Sequence, residues 1–185
     1  MGSTQKLIQP VNQMTVTASY LNGAYEKKFG FKHYGFDCRG TSTTVWSQGH
    51  GVVLAAGSDT CYGNFVTVMY FNTEKGNVIA NYFHFASLAV RAGQFVNKDT
   101  RLGVMGKTGT YAIGLHLHLE MRTYTLGQVP LISPFGTNIF RKDLTGWFDP
   151  LSVTYCKTSA PDFQRYNATN DAYINAGNKT IKVVT

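Results

Sequence analysis

Seven consecutive residues, Phe65-Val66-Thr67-Val68-Met69-Tyr70-Phe71, are almost all β-branched or aromatic. After the turn-forming stretch Asn72-Thr73-Glu74-Lys75-Gly76-Asn77, a second such run returns at Val78-Ile79-Ala80-Asn81-Tyr82-Phe83-His84. Side chains of this kind pack well on a pleated, half-buried surface, so the pair reads as a β-hairpin. Further strands are predicted at residues 51–56, around 102–105 and at 115–123. No segment keeps apolar residues on a 3.6-residue period over about a dozen positions, the least a stable amphipathic helix needs. The expected fold is therefore all-β, an antiparallel sheet or sandwich core with long loops. Pro130, Pro134, Gly136 and Gly146 break up residues 123–149, which read as a long loop carrying short ordered pieces. Past Pro150 the chain is rich in Asn, Thr and Tyr, and the alternatives are an extra strand on the core or a mobile tail. With 185 residues there is enough chain for one sizeable core. The expected division is one domain over 1–155, with 1–6 a linker or cloning scar, and a C-terminal extension over 156–185.

Seventeen Lys and Arg against ten Asp and Glu leave a net charge of +7, which favours a polyanionic partner or a negatively charged surface. The cations are not clustered, and neither a recognition-helix pattern nor an RNA-binding aromatic motif accompanies them, which argues against nucleic acid. No run of about 18 apolar residues is present to span a membrane, and the N-terminal residues are too polar for a signal peptide. Cys38, Cys61 and Cys156 are too widely spaced for a metal-binding pair and permit at most one disulfide; buried free thiols are expected.

The five histidines, His33, His50, His84, His116 and His118, carry the chemistry. In the predicted strand at 115–123, alternation sends Leu115, Leu117, Leu119 and Met121 to one face and His116, His118, Glu120 and Arg122 to the other. His116 and His118 would then stand roughly 6.6 Å apart at the backbone, close enough to share a metal or for one to stand beside it. In His33-Tyr34-Gly35-Phe36-Asp37 a fully extended chain would hold His33 and Asp37 about 13 Å apart, too far for a shared ion with ligand bonds near 2 Å. The chain must turn there, and Gly35 at the midpoint is where unusual backbone angles cost least. Two imidazoles and one carboxylate leave a coordination position open, as catalytic zinc sites do. Mononuclear iron oxygenases use the same donor types, but typically with a His and an acid one residue apart, and the Tyr82-x-His84 element would be left without a part to play.

His33-x-Gly35-x-Asp37, Tyr82-x-His84 and Gly114-Leu115-His116-Leu117-His118-Leu119-Glu120, in that order, resemble the LytM/lysostaphin type of zinc metallopeptidase. The glycine-punctuated stretches at 90–98 and 102–109, Gly49-His50-Gly51-Val52-Val53 and Tyr62-Gly63-Asn64-Phe65-Val66 resemble it too, so that the likeness runs over about half the chain. The resemblance implies a zinc-dependent endopeptidase that hydrolyses peptide bonds of bacterial peptidoglycan, in cross-bridge or stem peptide. One Zn²⁺ per chain would be held by His33, Asp37 and His118, while His84 and His116 would be catalytic histidines not bound to the metal. Tyr25, in an expected substrate-facing loop at 22–32, is the candidate for a tyrosine near the oxyanion. The implied place of action is the bacterial cell wall, for a secreted or phage virion-associated protein, monomeric, with peptidoglycan as partner. Relatives that serve only as inactive cell-wall binding or scaffolding modules usually lack one or more of these residues; all five are present here. His50 has no functional counterpart and is expected at a turn or surface, Glu120 is expected to be a solvated carboxylate, and Cys38 a core thiol. Asp99 departs from the family's usual Gly, implying a mild left-handed strain, and Leu115 replaces its usual Pro or Thr.

Overall fold

The computed structural model describes residues 4–124 and 146–155, together with the main chain of three two-residue strands further on. In chain order the elements are β1 (Leu7–Ile8), β2 (Thr15–Ala18), α1 (Gly23–Phe29), β3 (Gly35–Arg39), β4 (Thr44–Trp46), β5 (Gly51–Asp59), β6 (Gly63–Thr73) and β7 (Gly76–Leu88). There follow β8 (Phe95–Val96), β9 (Arg101–Met105), β10 (Leu117–Thr123), β11 (Trp147–Phe148), a 3₁₀ turn (Pro150–Val153) and β12 (Thr154–Tyr155). The last three strands, β13 (Tyr166–Asn167), β14 (Ala172–Tyr173) and β15 (Ile181–Lys182), pair with one another. Most of the predicted loop at 123–149, most of the extension at 156–185, and Cys156 lie outside the described residues. Among those that are described, no helix is long and apolar enough to cross a membrane.

The main sheet has the order β2-β3-β10-β7-β6-β5-β8, with antiparallel neighbours throughout. The all-β antiparallel expectation holds. The predicted hairpin is its centre: β6 and β7 meet across Glu74-Lys75, with Asn72 and Gly76 both at positive φ to close the turn. β7 is long enough to serve two neighbours, pairing with β10 through residues 78–83 and with β9 through residues 85–88. Phe36, Cys38, Tyr70, Tyr82, Leu117, Leu119 and Met121 fill the core beneath these strands. Cys38 and Cys61 are free thiols, the first buried and the second half-buried. The buried tyrosines keep their hydroxyls satisfied: Tyr82 donates to Gln48 Oε1 at 2.8 Å, Tyr70 and Tyr82 hydroxyls meet at 2.7 Å, and Gln48 Nε2 donates to Thr154 Oγ1 at 3.2 Å. An unpaired buried hydroxyl would cost about 1–3 kcal/mol, so this chain of bonds fixes the middle of β7 in place.

Four expectations need correcting. Residues 22–32 are not simply a loop, because Gly23–Phe29 is helical. Seven residues are too few to show a helical period, and the helix buries none of them; it is held by its caps. The Asn22 side chain accepts from Tyr25 N at 2.9 Å, and Gly30, at φ 79°, donates to Glu26 O. Leu115 is 43% exposed rather than in the core, since β10 begins only at Leu117. Asp99 does not take a left-handed conformation; its N–H is received by Asn97 Oδ1 in a tight turn.

Gly35 is the fourth. It lies in regular strand and the bend comes before it, so its small size serves another purpose. A Cβ there would sit 2.2 Å from Leu119 O of β10. Gly35→Ala is therefore expected to push apart the two strands that carry Asp37 and His118 and to destabilise the protein by about 3 kcal/mol, read as a lowered urea midpoint.

Candidate metal centre

Two neighbouring strands and one loop build the site. In the β3–β10 ladder Asp37 stands directly opposite His118, which brings Asp37 Oδ1 to 2.7 Å from His118 Nδ1. His33 comes from the connection between α1 and β3, whose fold-back is held by Leu21 N–H donating to His33 O at 2.7 Å. Its Nε2 lies 3.1 Å from Asp37 Oδ1 and 3.0 Å from His118 Nδ1. Two ring nitrogens and a carboxylate oxygen thus converge, all three atoms within 4.8 Å of one another.

The rest of each ring is already committed. His33 Nδ1–H donates to Ser19 O at 2.7 Å, and His118 Nε2–H donates to Glu120 Oε1 at 3.0 Å. With its outward N–H so committed, each imidazole would present a lone pair at the shared point once the inward nitrogen is deprotonated, the arrangement by which outer groups orient metal-binding histidines. The donor set, three groups of types zinc accepts, fits a catalytic rather than a closed structural site. Glu120 is 2% exposed, not solvated as expected, and is the group that orients His118.

His116 and His84 flank the cluster without joining it. His116 lies just ahead of β10, its Nδ1–H donating to Gly114 O at 2.8 Å and its Nε2 3.8 Å from Asp37 Oδ1. His84 reaches the site through a break in alternation. Tyr82 and Phe85 both face the core, and two residues between them must face the other way. His84 takes φ 68°, and the β6–β7 register slips by one residue there. As a result Phe83 stacks on His118, with centroids 5.7 Å apart, while the His84 ring stands 4.8 Å from that of His116. His84 Nδ1–H donates to Thr108 O at 2.9 Å, leaving Nε2 as an acceptor. Tyr25 stacks on His33 at 4.1 Å, and His50 is exposed and takes no part in the cluster.

Electrostatics follow from this packing. Burial alone would favour protonated Asp37, but hydrogen bonds from His118 and His33 outweigh it and hold the carboxyl well below the usual range. Burial opposes a charge on His118 as well, yet its bonds to Asp37 and Glu120 raise it from 6.5 to about 9 in the metal-free protein. Burial and the nearness of the His118 and His116 rings lower His84 to about 4, so it is neutral at pH 7. A raised histidine pKa stabilises the folded chain fully below pH 6.5 and loses that contribution as pH rises through 9. Metal-free protein is expected to melt at a lower temperature at pH 9.5 than at pH 6.5. A metal ion held there would have to displace the same proton, so its affinity is expected to fall about tenfold per pH unit between pH 9 and 6.5, as measured by competition with a chelator.

The groups that act through main-chain carbonyls, Ser19, Thr108 and Gly114, leave no trace in the sequence, because any residue type offers a carbonyl. Two clefts meet at the cluster. One, of about 400 Å³, is lined by Tyr34, Tyr62, His84, His118 and Glu120; the other, of about 480 Å³, by Lys28, Asp37, Arg39, Gly114 and His116. Tyr25 and Tyr111 line both.

Comparison with known proteins places this arrangement. The model of peptidase family M23 matches residues 31–130, more than half of the chain. The chain belongs to peptidase family M23. Among curated M23-like sequences it is similar to the peptidoglycan DD-endopeptidase ShyA of Vibrio cholerae serotype O1, with 34% identity over 104 residues, which is 55% of this chain and 23% of ShyA. It is 32% identical over 90 residues to an uncharacterized metalloprotease of Buchnera aphidicola, covering 48% of this chain and 23% of that protein. The chain thus spans about a quarter of the length of these relatives. Among solved structures, a zinc-containing peptidase from Vibrio cholerae superposes with a TM-score of 0.51 at 22% identity, over 64% of this chain and 37% of that one. That likeness shows the fold alone.

Proposed function

We propose that this M23 chain is a zinc-dependent endopeptidase that hydrolyses peptide bonds of bacterial peptidoglycan and acts in the cell wall. The observation that carries the reading is the meeting of His33 Nε2, Asp37 Oδ1 and His118 Nδ1 at one point, each ring oriented from behind by a committed hydrogen bond. The similarity to a peptidoglycan DD-endopeptidase supports the substrate class.

His33, Asp37 and His118 would hold the ion, which when bound supplies a Lewis acid and a water of near-neutral pKa. His116 and His84 both present an acceptor Nε2 beside that point, because each gives its Nδ1–H to a main-chain carbonyl. Either can take a proton from the attacking water, and the imidazolium so formed can return it to the leaving amine. Tyr25, stacked on His33 and lining both clefts, is the candidate phenol for a developing oxyanion; burial and the charges of Asp37 and Glu120 push its hydroxyl upward, so it stays a donor at neutral pH. Exhaustive chelation is expected to abolish clearing of purified sacculi in a turbidity assay, and one equivalent of zinc to restore it. Unchanged clearing by metal-free protein would rule the reading out.

A further inference from the structure

The two clefts differ in character. The one beside Glu120 is walled by rings, including Phe31, Tyr34 and Tyr62, and the one Lys or Arg among its described lining residues, Lys32, is matched by the Glu120 carboxylate in the same lining. The other receives two cations, Lys28 from α1 and Arg39 from β3, and the one carboxylate among its described lining residues is that of Asp37, already committed to His33 and His118. Arg39 stands two residues beyond Asp37. Phe36 and Cys38 face the core, so Asp37 and Arg39 share the opposite face of β3, at a backbone spacing of about 6.6 Å. The Arg39 guanidinium lies beside Gly114, 3.6 Å from where a side chain there would begin, and Gly114 is the residue whose carbonyl holds His116. Among the described residues no carboxylate pairs with Arg39 or with Lys28, whose ammonium lies 5.3 Å from the Phe29 ring centre.

We infer that this second cleft is the subsite for a free carboxylate of the substrate peptide, received by Arg39 with Lys28 in support, next to the bond that is cut. The inference rests on the endopeptidase reading and deepens it, naming an anionic peptide as the substrate class. An arginine suits the task because its planar fork matches a carboxylate in two parallel hydrogen bonds. Among the described residues neither cation has to leave a carboxylate partner to do so. Peptide stems of peptidoglycan carry such carboxylates, whereas a bridge made of neutral residues alone does not.

The test uses one cross-linked muropeptide dimer in two forms, with its carboxylates free and after carbodiimide-mediated amidation. Zinc-loaded protein is expected to cut the free form with kcat/KM roughly ten- to a hundredfold above the amidated form. In Arg39→Gln that ratio is expected to fall toward one, and in Arg39→Glu to reverse. Lys98→Gln removes a charge that already pairs with Asp99 and is expected to keep the wild-type ratio. A wild-type ratio near one, or a loss of preference in Lys98→Gln equal to that in Arg39→Gln, overturns the inference, the latter by tracing the preference to overall charge. Calorimetric binding of both dimers to the His116→Ala protein reads the same ratio without turnover. Absence of cleavage with the binding ratio intact would sink the peptidase reading alone; cleavage with a ratio of one would sink the subsite alone.

Discussion

His118→Ala is expected to lose bound metal and turnover together. His118 stands at the centre of the cluster, with Nδ1 3.0 Å from His33 Nε2 and 2.7 Å from Asp37 Oδ1. Without it two donors remain, too few to hold zinc in a catalytic site, and metal content should drop below about 0.1 ion per chain. Activity on sacculi should fall by at least roughly a thousandfold, since both the Lewis acid and the activated water are lost. The substitution also removes one hydrogen-bond partner of the buried Glu120 carboxylate, so circular dichroism must confirm that the variant folds. A folded variant with a full complement of zinc would show that the ligands have been misassigned.

His116→Ala should behave differently, and the contrast is informative. Its Nε2 is 3.8 Å from Asp37 Oδ1, near the cluster but outside the three converging atoms, so metal content should stay close to one ion per chain. Turnover should drop by about a hundred- to ten-thousandfold, the usual contribution of a positioned general base or acid. The loss should appear in kcat more than in KM, because the ring acts on a proton in flight rather than on bound substrate. Retention of full activity would remove His116 from the mechanism.

Much of this architecture could be read from residue types. The hairpin at 65–84 announces itself by composition, and the His-x-His strand by alternation. Alternation also has limits, and they are physical. It places His84 on the core side with Tyr82, whereas a left-handed residue and a one-residue slip bring it to the site; nothing short of a backbone bulge could do so, and histidine is not a residue that advertises one. Glu120 was within reach, since it sits two residues from His118 on the same face. What hid its role is burial of both faces of β10, where a half-solvated strand was expected. Gly35 matters for its small size rather than its flexibility, because a side chain there would meet a neighbouring carbonyl at 2.2 Å. The short α1 leaves no helical period in the sequence because capping, not amphipathic packing, sustains it.

The parallel pairing of β1 with β12 sets a practical boundary on how this protein can be dissected. Leu7, Val11 and Met14 from one end and Leu151 and Val153 from the other are packed into the same core as Phe36 and Leu119. Gln48, wedged under the hairpin, leans on Thr154. The stretch recognised as family-like, 31–130, is therefore smaller than the body that must be kept together. Excising it would peel away a clasp formed by both flanks and open an oily seam beneath the strands that carry Asp37 and His118. Expression work should keep residues 7–14 and 151–155 together with the family-like stretch.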